Sequence, residues 1–175
     1  MKLLAFFFAF GMVSKTPPQN FYNLVIHTLN GSTIHLSSFQ GKNVVVAEFD
    51  ASNPDLNFLS GLDSLQASDS GLVVLEVPAT DFHGSLNSGQ LQSLISVISG
   101  KNLVTETGMV SKSAGIAQLS LFNWLTNVSE NTHFDTDVTA ENQIFLISTK
   151  GELYAALGKD TPIELVSSLL KNAPQ

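Results

Sequence analysis

The sequence predicts an α/β domain: a mixed central sheet with helices on both faces, entered through an N-terminal β-hairpin. Three observations predict it. Residues 44–49 (VVVAEF) and 72–77 (LVVLEV) are near-continuous apolar runs with the composition of strands buried on both faces. Between them, Leu56, Leu59, Leu62 and Leu65 recur at helical spacing, so the two runs read as parallel neighbours joined by a right-handed crossover. Short strand-like runs flank Asn30-Gly31 near the start and Thr149-Lys150-Gly151 near the end, each an antiparallel hairpin.

Residues 21–26 and 33–36 supply the first hairpin. Asn30-Gly31 tolerates positive φ and suits a two-residue turn, which would set His27 opposite Ile34 and His35 opposite Ile26, with the two rings on opposite faces. Leu91, Leu94, Ile95 and Ile98 form one helical stripe over residues 90–98, ended by Gly100. A short apolar helix follows over 119–125 (LSLFNWL), and the strands 143–148 and 152–157 make the late hairpin. The last helix opens on a predicted capping box, with Thr161 as N-cap, Pro162 at the first helical position and Glu164 at the third.

Composition narrows the function. At 175 residues the chain is one domain, acidic (net charge -7, pI about 4.8), with eight scattered lysines and no arginine. Neither nucleic acid nor an anionic membrane is an expected partner. Residues 1–14 read as a secretory signal: Lys2, then the apolar run 3–13, then a polar stretch containing Pro17-Pro18. That run is shorter than the ~20 residues that a bilayer crossing needs, so the expected mature protein is the domain 15–175, secreted, extracellular and without a membrane segment. There is no cysteine, which removes thiol catalysis, thiolate ligation and disulfides together. No cofactor and no metal are expected. Asp81-Phe82-His83 follows a buried strand and offers a base or two metal ligands, but no third ligand has metal-site spacing. His27, His35 and His133 add none, and no serine lies in a Gly-x-Ser-x-Gly elbow. Asn30-Gly31-Ser32 and Asn127-Val128-Ser129 satisfy the glycan acceptor rule; Asn127, between a helix and a polar loop, is the preferred site of the two.

Several strings, in order, resemble the glutathione peroxidase family, a branch of the thioredoxin fold. They are FYNLVIHTLNGSTIHLSSFQGKNVVV (21–46), VPATDFHG (77–84), LFNWL (121–125) and FLISTKGEL (145–153), and together they span nearly the whole mature chain. The resemblance implies a thioredoxin-like, glutathione-peroxidase-like fold. It also implies where that family's chemistry would sit: the peroxidatic cysteine or selenocysteine falls on Asn53, the glutamine on Asp81, and the tryptophan and asparagine on Ala140 and Glu141. None of the four matches. Reduction of a hydroperoxide needs a soft anion to attack the O–O bond, and an amide is not one.

Asn53 is expected instead to cap the crossover helix, with Pro54 at the first helical position and Asp55 near the positive helix end. The expected function is then that of a secreted pseudoenzyme acting as an extracellular binding or interaction protein with an unidentified partner. The alternatives are a peroxidase-type oxidoreductase in the response to oxidative stress, or a new acid–base activity using Asp81 and His83. Tight glutathione binding is not expected, since no arginine is present to clamp its carboxylates.

Overall fold

The computed structural model describes residues 19–84, 86–97 and 102–174. The proposed signal segment and the Gly100 helix stop lie outside them.

The described residues open with a 3-10 turn, Phe21–Asn23, and a two-stranded antiparallel ribbon, β1 (Val25–His27) and β2 (Thr33–His35). Then come β3 (Asn43–Asp50), α1 (Leu56–Ser68), β4 (Leu72–Ala79), α2 (Ser88–Val97), the two-residue β5 (Leu103–Val104), α3 (Ser120–Thr126), the single turn α4 (Val128–Asn131), β6 (Ile144–Ile147), β7 (Leu153–Leu157) and α5 (Ile163–Lys171). The sheet order is β5-β4-β3-β6-β7. β3 and β4 run parallel, from Asn43 opposite Leu72 to Asp50 opposite Ala79, while β6 lies antiparallel on the other side of β3. The mixed sheet, the βαβ unit and the late hairpin are thus as the sequence predicts.

Strand parity explains why both faces are apolar. Val45, Ala47 and Phe49 point to one side, where Leu59, Leu62 and Leu65 of α1, Leu94 of α2, and Val166 and Leu170 of α5 cover them. Val44 and Val46 point to the other, against Phe21, Leu36, Phe122, Trp124, Leu125 and Phe145. Phe122 and Phe145 meet edge to face with centroids 5.8 Å apart. Each fully buried side chain of this size stabilises the fold by about 1.5–3 kcal/mol, and with no cysteine in the chain this burial stands in place of disulfides.

Three local expectations are corrected. The first ribbon pairs His27 with Thr33 and Val25 with His35, one residue out from the two-residue-turn register. Its loop is longer: Thr28 N–H donates to the Ser32 carbonyl, Gly31 N–H donates back to the Thr28 carbonyl, and Gly31 sits at φ 84. A slip of one residue exchanges faces, so Ile26 and Ile34 turn inward and both histidines share the exposed face. Secondly, α1 is capped by Asp55, whose Oδ1 accepts from Asn57 N–H (2.9 Å) and Phe58 N–H (3.2 Å); Asn53 stands two residues too early to reach them. Thirdly, Pro162 is the N-cap of α5 rather than its first helical residue, no side chain caps that end, and the box between Thr161 and Glu164 does not form.

Candidate functional site

The corner between β3 and α1 lies at the carboxyl end of the parallel strands, where α/β sheets commonly bind ligands. Asp50, the last residue of β3, is buried (4% exposed) and organises it. Its Oδ1 accepts from Ser52 N–H and Ser52 Oγ, both at 3.0 Å, which turns the chain away from the sheet. Its Oδ2 lies 2.5 Å from His83 Nδ1 on the loop after β4. The imidazole itself is 64% exposed. Asn53 follows the turn and is exposed, and Pro54 and Asp55 complete the corner.

A hollow of about 420 Å³ opens here. Asp50, Asn53, Pro54, Asp55 and Leu56 form one side; His83, Glu141 and Asn142 close the other. Asn53 and Glu141, both singled out from the sequence, are thereby brought to one place. Ala140 is not on the hollow's wall; its N–H and that of Thr139 turn to Gln143 Oε1. Asp81 is not on it either. Its two carboxylate oxygens accept from Val110 N–H (2.6 Å), Ser111 N–H (3.1 Å) and Ser111 Oγ (2.7 Å), so it anchors the segment after β5. The alternative site built on Asp81 and His83 is therefore not assembled; the carboxylate that His83 meets is Asp50.

Two carboxylates that the sequence reading passed over lie in the sheet. Glu48, two residues before Asp50 and on the same face of β3, is fully buried. Gln143 N–H donates to its Oε1 at 2.8 Å, and its Oε2 has no hydrogen-bond partner among the described residues. Burial pushes its carboxyl up to about 8; the Gln143 bond opposes this, and the charges of Glu141, Asp81 and Asp50 add to it. Glu76 on β4 is likewise raised by burial, to about 7, against the bond it accepts from Asn102 Nδ2. The signal for Glu48 was its position: an acid inside VVVAEFD, in phase with the inward Val44 and Val46.

Among the described residues, no group of three or more His, Asp and Glu is arranged to hold a metal ion. His27 and His35 remain on the hairpin surface, and His133 makes local contacts to Asn131 and Thr132. Of the two glycan candidates, Asn30 is exposed at the hairpin loop, whereas Asn127 donates through Nδ2 to Asn123 O (2.8 Å) and Oδ1 (3.0 Å). No described helix is long and apolar enough to cross a membrane.

No family model and no curated protein sequence matches the chain. Solved structures do match it. Trgpx, in its apo form, superposes with a TM-score of 0.70 at 18% identity, over 89% of this chain and 95% of that one. T. cruzi GPX1 gives 0.69 at 12% identity, over 89% and 96%. A secreted Mycobacterium tuberculosis disulfide oxidoreductase homologous to E. coli DsbE gives 0.58 at 13% identity, over 87% and 97%. At such identities the likeness is one of fold, and that fold is the thioredoxin-like, glutathione-peroxidase-like one the sequence predicts.

Proposed function

We propose that the chain is an exported, glutathione-peroxidase-like protein that has lost peroxide reduction and works by binding another molecule outside the cell. One observation carries this reading: the strand-to-helix corner of a thioredoxin-like fold presents an exposed amide, Asn53, in a chain with no cysteine. The thiolate that would take up a peroxide oxygen is missing, and none of the groups around the corner can replace it. What is left is a concave, polar surface of the kind that binds. Its three carboxylates repel the carboxylates of glutathione, in keeping with the lack of arginine.

The test is hydroperoxide turnover with glutathione or thioredoxin as reductant. The expected rate equals that of a heat-inactivated sample; turnover abolished by Asn53→Ala overturns the proposal. Export is tested separately by sequencing the N-terminus of the secreted product, which is expected to begin near Lys15.

A second reading, an acid–base enzyme, is favoured by the Asp50–His83 pair. A buried carboxylate bonded to Nδ1 orients an exposed imidazole whose other nitrogen is open to a substrate. Hydrolysis of activated esters above the buffer rate, lost in His83→Ala, would support it.

A further inference from the structure

A second groove of about 620 Å³ adjoins the acidic hollow, and Pro54 and Leu56 line both. The groove runs from Ala51 and Ser52 to Gln90 and Leu94 of α2 and is more apolar. Leu56, at the first position of α1, is 58% exposed between the two hollows. A large apolar side chain standing there, flanked by concave surface, has the character of a docking anchor.

The hollow has a definite electrostatic sense. Asp50, Asp55 and Glu141 line it with a single imidazole and no lysine. One polar atom on the wall is buried without a partner among the described residues, Asn142 Oδ1. Its open lone pairs can accept an N–H from a group bound in the hollow. The groups that complement this wall are cationic and rich in N–H donors, and a guanidinium presents several such donors in one plane.

From the two lobes together we infer that the site takes an arginine-bearing peptide segment of a partner protein, the guanidinium in the hollow and an adjacent apolar residue on Leu56 and in the groove. Charge complementarity selects the cation, and the apolar lobe selects a peptide over a free amine. The inference rests on the reading of the chain as a binding protein and names the chemistry of its partner.

The probes are N-acetylated, C-amidated serine peptides containing an Arg-Leu pair, with Glu-Leu and Arg-Ser counterparts, titrated into the full mature chain by calorimetry and by backbone amide NMR. The Arg-Leu peptide is expected to bind, to shift the amides of Asn53, Leu56 and Glu141, and to weaken with added salt. Glu141→Gln is expected to weaken it by up to about fivefold, the range for a partly exposed ion pair. Leu56→Ser is expected to remove the preference over the Arg-Ser peptide. Asp55→Asn keeps a helix-capping residue, so weaker binding in that variant reports charge rather than unfolding. Glu152→Gln makes the same charge change in the turn at the other end of the sheet and is expected to change nothing.

Equal binding of the Glu-Leu peptide, or equal losses in Glu141→Gln and Glu152→Gln, overturns the inference. Tight self-association of the chain that buries Leu56 also overturns it. Such failures leave the loss of peroxide reduction standing, because that claim fails only on turnover.

Discussion

Asn53 and Asp55 show how one residue's place in a turn decides its energetic role. Both are acceptable N-caps by chemistry, and the sequence favoured the first because Pro54 follows it. Proline holds its predecessor extended, and the helix waits until Asp55 can reach Asn57 and Phe58. Asp55→Ala is expected to lower stability by about 1 kcal/mol, and Asn53→Ala to leave it nearly unchanged. Denaturant midpoints of the two variants check this, and the reverse order would return the cap to Asn53. A second consequence concerns the missing thiol. In Asn53→Cys the new side chain shares the hollow with Asp50, Asp55 and Glu141, all of which disfavour a thiolate. Its pKa is expected above the ordinary value of about 8.5, so the variant should regain little hydroperoxide turnover. Thiol alkylation rate against pH measures it. The corner was legible because residues 44–62 change period there. The Asp50–His83 and Asp81–Ser111 bonds were not, since they join residues 33 and 30 positions apart and depend on where side chains turn after the strands end.

Elements were legible wherever a period ran for several residues, as in β3, β4, α1 and the late hairpin. β5 has only two residues, too few to show a period, and its existence depends on β4 offering an edge. The capping pair at α2 could have been read: Asn87 Oδ1 accepts from Gln90 N–H while Gln90 Oε1 accepts from Asn87 N–H, an Asn-x-x-Gln box that the turn-like Asn-Ser-Gly string obscured. The β1–β2 hairpin shows the reverse, an Asn-Gly signal read correctly as a turn but with the wrong loop length. That loop bears on glycosylation. Asn30 Oδ1 accepts from Thr28 Oγ1 and Ser32 N–H, so a sugar on the amide nitrogen leaves both bonds in place. At Asn127 a sugar takes one of the two hydrogens that Nδ2 gives to Asn123 O and Oδ1, so at least one of those bonds is lost. Glycans are added before folding, so the structure governs tolerance rather than addition. Material glycosylated only at Asn30 is expected to match the unmodified protein in stability, and material glycosylated only at Asn127 to lose about 1 kcal/mol. Denaturation of Asn127→Gln and Asn30→Gln proteins from a glycosylating host, with and without enzymatic removal of the sugar, reads the difference.

Across the whole molecule, an acidic chain without disulfides has placed two carboxyls inside its sheet, and this couples global stability to pH. Glu48 and Glu76 start from an ordinary value of 4.5 and are raised by burial to about 8 and about 7. For each, the folded chain holds its proton more tightly than the unfolded chain does. Their favourable contribution is complete below about pH 4.5 and is lost as pH rises through the folded values, so unfolding free energy falls from about pH 4.5 to about pH 8. Asp135 runs the other way, lowered by its bond to Lys112, but it is fully exposed and water screens that pair. The general repulsion of a net charge of -7 has the same sign as the Glu48 effect and must be separated from it. Glu48→Gln does so, because its amide oxygen can still accept from Gln143 N–H while the group no longer ionises. Wild-type protein is expected to have a higher urea midpoint at pH 5 than at pH 8. The variant should show a flatter profile and a gain at pH 8 on the order of a few kcal/mol at most. A wild-type profile that rises across this range, or a variant whose slope is unchanged, would mean that Glu48 is already ionised in the folded protein and that its neighbours, Glu141 and Asp50 among them, do not hold it neutral.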